Sequence, residues 1–417
     1  MRRILILKLL YLPLFIGLFL TMNCTGFGED QTAKEILKEH IEWLASDERE
    51  GRLAGTLDEA ESANYIADTF FAYGLGPAGD ERTFLQHFVL SGPMADMMES
   101  ENVISRNVIG EVTGTRYPDR TLIIGAHYDG QGLGGPVSMD HDSAPVIHPS
   151  ADDNASGTAG LLYLANYYSQ NPAEHSITFI AFSGEELGLL GSRHFVETLE
   201  TPRDSIIAMI NLDMIGRLSE GNLTLFGTGT SNIWEDIMEK VPTDTLIVNT
   251  VPSGAGSSDH ASFYNAGIPA LHYFSGTHED YHRASDTPEL INYEGMEWIL
   301  NHLIGVVYEL GLIEISDIEF FESSSQHTGV MSGEHVTLGV MPDYGFSGDG
   351  FRIVNVRAGQ PAELAGLISG DIIIQMGEQP IADIYSYMEA LTTFKEGDET
   401  VIIVNRNGSE LELSVRF

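Results

Sequence analysis

The chain has 417 residues, enough for two or three domains, and its 43% hydrophobic content excludes wholesale disorder. Against 61 Asp and Glu stand only 21 Lys and Arg, a net charge of −40, so the surface repels phosphate backbones and argues against nucleic-acid binding. One cysteine, Cys24, excludes an internal disulfide or a thiolate zinc site and leaves any metal to His, Asp and Glu.

The chain opens Met1-Arg2-Arg3 and runs apolar from Ile4 to Leu20 apart from Lys8, with Cys24 following. Residues 1–24 read as an export signal, set aside from the fold. A lone cysteine after such a run resembles the acylation site of bacterial lipoproteins, although Thr21-Met22-Asn23 lacks the usual small residue before it. A retained anchor and a freely secreted protein are the alternatives. All three place the rest of the chain outside the cytoplasm of a bacterial cell, in the envelope or secreted, with membrane contact only through this terminus.

Two helices come next. Ile36, Leu37, His40, Ile41 and Leu44 recur at helical spacing, and Asp58 to Tyr73 repeats the pattern with Ala60, Ala63, Ile66, Ala67 and Phe70 until Gly74 stops it. Apolar runs then alternate with helical stretches. The runs are Thr121–Ala126, Ser176–Phe182, Ile206–Leu212, Asn222–Phe226, Thr245–Val248 and Ile268–Phe274; the helical stretches are Gly157–Gln170, Leu187–Leu199, Ile233–Val241 and Pro288–Leu310. This order predicts an α/β fold, a mixed but mostly parallel sheet flanked by helices, with a ligand site beyond the carboxyl ends of the strands.

The polar residues fall at those ends. His127-Tyr128-Asp129 follows the first run, Ala151-Asp152-Asp153-Asn154 opens a helix, Ser183-Gly184-Glu185-Glu186 follows the second run, and Asn211-Leu212-Asp213 closes the third. His282 lies in the loop after Ile268–Phe274. Such a set suits a pair of divalent cations: two close charges need a carboxylate between them and further carboxylates to offset the rest. Asp129 is placed to hold the second ring nitrogen of His127. Of Glu185 and Glu186, which leave a strand in different directions, one can bind metal while the other faces water. Asp152 reads as a helix cap. Asp286 either orients His282 or caps the helix at Pro288. His260, His272 and His278 read as hydrogen-bonded or solvent-facing, and His141, Asp142 and His148 sit in a Gly/Pro-rich loop near the mouth of the site.

In His127-Tyr128-Asp129, Ala151–Gly157, Gly184-Glu185-Glu186-Leu187-Gly188, Asn211-Leu212-Asp213-Met214 and Tyr281-His282 with Asp286-Thr287, residues 30–312 resemble the M28 zinc aminopeptidases, dizinc exopeptidases of phosphorylase/hydrolase-like fold. The resemblance implies two Zn2+ ions per chain. Asp153 would bridge them, Glu186 and His282 would complete one site, and His127 and Asp213 the other. It also implies Glu185 as general base and a cis bond at Asp153–Asn154. Ser258-Asp259-His260 matches the family too, and Ala255 stands where some members carry a Tyr.

Around residues 313–327 the chain turns acidic and Ser-rich, as a linker would. Beyond it, Leu338-Gly339-Val340-Met341, Ala358–Leu367 and Gly370–Gly377 resemble a β-rich PDZ domain over residues 328–417, which implies capture of a peptide C-terminus on a sheet edge. The expected function is removal of N-terminal residues from peptide substrates. A carboxypeptidase, a glutaminyl cyclase on the same scaffold and a catalytically inert binding ectodomain are the alternatives.

Overall fold

The computed structural model describes residues 32–92, 95, 102–134, 138–140, 145–199, 201–243, 245–323, 336–342, 349–357, 359–382, 384–391, 393–395 and 397–417. The leader with Cys24, His141, Asp142 and residues 324–327 lie outside them. Among the described residues no helix is long and apolar enough to cross a membrane.

Helix α1 (Ala33–Leu44) buries the stripe read from the sequence: Ile36, Leu37, His40, Ile41 and Leu44. Helix α2 (Leu57–Ala72) starts at Thr56, whose hydroxyl accepts the Glu59 amide at 3.2 Å, and ends before Gly74, at φ +82°. Each large apolar side chain these helices bury stabilises the fold by about 1.5–3 kcal/mol.

Four strands form the parallel centre of a nine-stranded sheet: β4 (Tyr117–His127), β5 (His175–Phe182), β6 (Ile206–Leu212) and β9 (Ala270–Phe274), in the spatial order β5-β4-β6-β9. Every residue of β5 and β6 is buried, as continuous apolar runs in a covered parallel sheet should be. One flank is antiparallel. Strand β3 (Ile104–Val112) pairs with β5, and β1 (Gly76–Pro77) and β2 (Leu85–Val89) pair with β3. On the other flank β7 (Asn222–Phe226) runs antiparallel to β9 and carries the edge strand β8 (Ile247–Val251) parallel to itself. The β1–β3 flank had no counterpart among the apolar runs. Strand β3 is mostly buried but its run is broken by polar Ser105, Arg106 and Asn107, and β1 and β2 are short and largely exposed, so their pattern is weak. Edge strand β8 starts two residues later than its run for the same reason, with Ile247, Asn249 and Thr250 exposed.

Helix α3 (Gly157–Gln170) packs on the sheet beneath the site, and α4 (Leu190–Glu197), α5 (Trp234–Lys240), α6 (His260–Asn265) and α7 (Tyr293–Gly311) complete the cover. The chain does not turn free on leaving α7. Ile315 and Ile318 pack against the core, and the Phe321 amide donates to the Thr230 carbonyl at 2.8 Å. The Gly254 amide donates to Ser323 Oγ at 2.9 Å, and the Phe320 and Tyr264 rings meet at 5.7 Å. The acidic stretch is therefore fixed as far as Ser323.

The C-terminal region has its own core, with Leu338, Phe351, Ile353, Ile373, Met376, Ile402 and Val404 fully or nearly fully buried. Its antiparallel sheet orders β10 (Val340–Pro342), β11 (Phe351–Val356), β12 (Ile372–Met376), β14 (Glu399–Arg406) and β15 (Ser409–Arg416), with β13 (Gln379–Pro380) beside β12. Buried Asp371 accepts two hydrogen bonds from Arg406, at 2.6 and 2.7 Å.

Three buried histidines away from the sheet's carboxyl edge make the fold acid-sensitive. Burial pushes His40, His175 and His302 down to about 4. A histidine lowered in the folded state stays neutral there while the unfolded chain protonates. Its contribution is intact above about pH 6.5 and is lost between pH 6.5 and 4, at up to about 1.4 kcal/mol per pH unit. The urea midpoint of His302→Gln should therefore fall less from pH 7 to pH 5 than that of the unmodified chain. Equal falls would remove His302 from the account.

Candidate metal centre

Parallel strands β5, β4, β6 and β9 end on one edge of the sheet, and the sequence places acids and histidines there. His127 is the last residue of β4, in register with Phe182 at the end of β5. Glu185 and Glu186 follow three and four residues after Phe182, turned by Gly184 at φ +71°. Asp213 comes directly after β6, and its amide donates to the Tyr273 carbonyl of β9 at 3.3 Å. Asp153 sits in a π-helical turn, Ala151–Ser156, before α3, and the Asp153–Asn154 bond is cis. His282 follows β9 at φ +56°, and its carbonyl accepts the Met139 amide at 2.9 Å.

Five of these side chains converge. Asp153 Oδ1 lies 3.3 Å from His127 Nε2, which is 3.4 Å from Asp213 Oδ1. Asp153 Oδ2 lies 3.1 Å from His282 Nε2, which is 3.5 Å from Glu186 Oε2. The result is two trios, His127-Asp153-Asp213 and Asp153-Glu186-His282, with each trio's ligand atoms within 4.8 Å of one another and Asp153 common to both.

The residues fit a pair of cations. His127 Nε2, Asp213 Oδ1 and Glu186 Oε1 are buried without a hydrogen-bond partner, and each belongs to a trio. Buried polar atoms are almost always satisfied, so orphans on three residues of the two trios call for a ligand. Nitrogen and carboxylate donors without sulfur suit zinc. Charge points the same way. Burial, reinforced by Asp153, pushes the Glu186 carboxyl up to about 8. Burial likewise holds Glu185 well above the usual carboxylate range, with Glu186, Asp213 and Asp259 adding to the rise and His127 opposing it. Asp153 goes the other way: the two histidines facing it outweigh its burial and hold it below the usual carboxylate range.

The outer partners differ in part from expectation. The carbonyl of Asp129 lies 3.2 Å from His127 Nδ1, while its carboxylate stands 3.6 Å away and accepts the Glu185 amide at 3.3 Å. Asp129 thus joins the His127 strand end to the Glu185 turn. Asp152 does not cap the helix. Its Oδ1 accepts the Gly216 amide at 2.6 Å and its Oδ2 faces His278 Nε2 at 3.1 Å. The helix runs from Gly157 to Gln170 as its stretch in the sequence does, and the Gly157 amide donates to Asn154 Oδ1 at 2.9 Å. Asp286 Oδ2 accepts the Asp152 and Asp153 amides at 2.9 and 3.1 Å, and the turn at Pro288 has no side-chain cap. Residues 133 positions apart meet there, a distance no local pattern signals.

Ser258 donates to Asp213 Oδ2 and accepts from Asn211, both at 2.7 Å. His260 and His272 stack at 4.6 Å and burial pushes both down to about 3, so they stay neutral; neither enters a trio. His148 pins its own loop, with ring nitrogens 2.8 Å from Ser138 Oγ and from the Val146 carbonyl. One residue at the site gave no sequence signal: Arg52, in a turn between α1 and α2, has no periodicity or motif around it.

Residues 107–307 match the family model for peptidase family M28, and residues 325–417 match that for the PDZ domain. The chain is similar to aminopeptidase YwaD of Bacillus subtilis, at 34% identity over half of this chain and 45% of that protein. It is also similar to the alkaline phosphatase isozyme conversion protein of Escherichia coli, at 28% identity over 57% of this chain and 73% of that one. It thus spans less than half the length of the first of these relatives. Among solved structures, a zinc aminopeptidase from Bacillus subtilis superposes with a TM-score of 0.52 at 22% identity, covering 69% of this chain and 98% of that one. A glutaminyl cyclase from Bacteroides thetaiotaomicron gives 0.53 at 17% over 67% and 98%. At these identities the superpositions establish the fold: a mixed α/β sheet flanked by helices.

Proposed function

We propose, for a chain whose residues 107–307 match the model of peptidase family M28 and whose residues 325–417 match that of the PDZ domain, that it is a zinc-dependent aminopeptidase acting through two metal ions. The observation that carries this is the pair of trios sharing Asp153, with their orphaned donor atoms. His127, Asp153 and Asp213 would hold one ion, and Asp153, Glu186 and His282 the other. Bound there, zinc supplies an acidified water and a polarised substrate carbonyl.

The chain's own groups do the rest. Glu185 belongs to neither trio yet feels His127, Glu186 and Asp213, and its raised pKa suits a group that takes a proton from the attacking water and hands it to the departing amine. Acidic groups around it, Glu185 included, favour a substrate whose free amine is cationic. Asp129 keeps His127 and Glu185 in register. A glutaminyl cyclase is the weaker reading, because His127 and Asp213 together complete a second trio. Export through residues 1–24, acylation of Cys24 and peptide capture by the PDZ domain complete the proposal.

Metal analysis together with a panel of amino-acid amides and matched N-blocked peptides tests it. The expected result is zinc in the purified chain and cleavage confined to free N-termini. Cleavage of blocked peptides at the same rate would exclude an aminopeptidase.

A further inference from the structure

Arg52 is fully buried, and no carboxylate forms a hydrogen bond with it among the described contacts. Its N–H groups go instead to four main-chain carbonyls: Nε to Tyr128 at 2.9 Å, Nη1 to Leu44 and to Pro149, the latter at 2.9 Å, and Nη2 to Ser150 at 3.0 Å. Tyr128 lies between His127 and Asp129, and Ser150 is three residues before Asp153. One guanidinium therefore ties α1 to both segments that deliver the first trio's His127 and the shared Asp153.

The backbone is shaped for this. Glu50, Gly51 and Arg52 are all left-handed, at φ +41°, +69° and +53°. Conformations this uncommon in succession persist only where the surroundings impose them. Here the Gly130 amide donates to the Arg52 carbonyl at 3.2 Å and the Gly132 amide to the Gly51 carbonyl at 3.0 Å. A Cβ on Gly51 would come within 2.5 Å of the Gly132 and His148 carbonyl oxygens. The Tyr128 side chain is held from the other side, its hydroxyl donating to buried Glu59 of α2.

We infer that Arg52 is a positioning residue for the metal centre: it fixes the Tyr128–Asp129 and Pro149–Asp153 segments so that His127 and Asp153 stand at ligand geometry before a cation arrives. It rests on the dizinc reading of the site. Its charge faces Asp129, Asp286, Asp153 and Glu186, which keep the guanidinium cationic although burial lowers it to about 10. A charge so placed also eases the crowding of carboxylates in the metal-free chain. Losing a second layer of this kind costs about 10–100-fold in metal affinity.

The test uses the full-length chain with zinc as the probe. Zinc affinity is measured by competition with a chromogenic chelator, and thermal unfolding with and without zinc, for the unmodified chain, Arg52→Met and Arg52→Lys. Arg52→Met should weaken zinc binding by at least about 10-fold, and its unfolding should gain less from added zinc. Arg52→Lys keeps the charge but cannot span four carbonyls, so it should weaken binding too. Unchanged zinc affinity, with equal losses of thermal stability in both forms, would make Arg52 a purely structural residue and overturn the inference.

Amide hydrogen exchange on the unmodified chain decides the matter even where a variant fails to fold. The 128–130 and 150–153 amides should be protected without metal. Protection that arises only on adding zinc overturns the inference. An unmodified chain that binds no zinc would overturn the dizinc reading instead, and exchange in that metal-free chain would still show whether Arg52 holds the two segments.

Discussion

Asp153→Asn should leave the chain with less than about one zinc ion and no measurable turnover. Asp153 alone contributes to both trios, with Oδ1 toward His127 and Oδ2 toward His282. The amide keeps the shape but turns one oxygen into a donor facing a cation. It also removes a negative charge from a buried place where two cations would otherwise repel each other. The Asp152 and Asp153 amides would still be held by Asp286, so the backbone has reason to stay in place. Metal analysis beside circular dichroism checks this. A folded variant that still carries both ions would end the bridging role.

Glu185→Gln should do the reverse: full metal content, with kcat lower by about 100- to 10,000-fold and KM little changed. Glu185 is in neither trio, so zinc has no reason to leave. The amide is isosteric, and the main-chain bond from its N–H to Asp129 survives. Only the ability to take up and release a proton goes. A variant turning over within a few-fold of the unmodified chain would move the base elsewhere, and Asp259, which burial pushes up to about 7, would be the next candidate.

Much of this site was legible in sequence because two signals coincide there. Apolar runs locate strand ends, and acids or histidines directly after them locate ligands. His127, Asp213 and the Glu185-Glu186 pair are of this kind. Asp153 and His282 lie in irregular backbone; a helix start and a loop after a strand put them in the set, and the family likeness supplied their separate roles. What stayed hidden has one physical cause: the partner is far along the chain. Asp286 reaching the Asp152 amide, Asp152 reaching Gly216 and Arg52 reaching Ser150 span 134, 64 and 98 residues. A polar residue satisfied by distant main-chain atoms leaves no local rhythm. The β1–β3 flank was missed for a different reason: β1 and β2 are short and largely exposed, and polar Ser105, Arg106 and Asn107 break the run of β3.

Stitching of residues 315–323 onto the Thr230 and Gly254 loops sets where this protein can be recombined. Gly254 lies four residues before Ser258, which steadies Asp213. A transplant joined just after α7 would strip support from a rim loop of the reaction centre, whereas a joint beyond Ser323 leaves it whole. Exchange of the C-terminal module of this chain should therefore be made at that later junction.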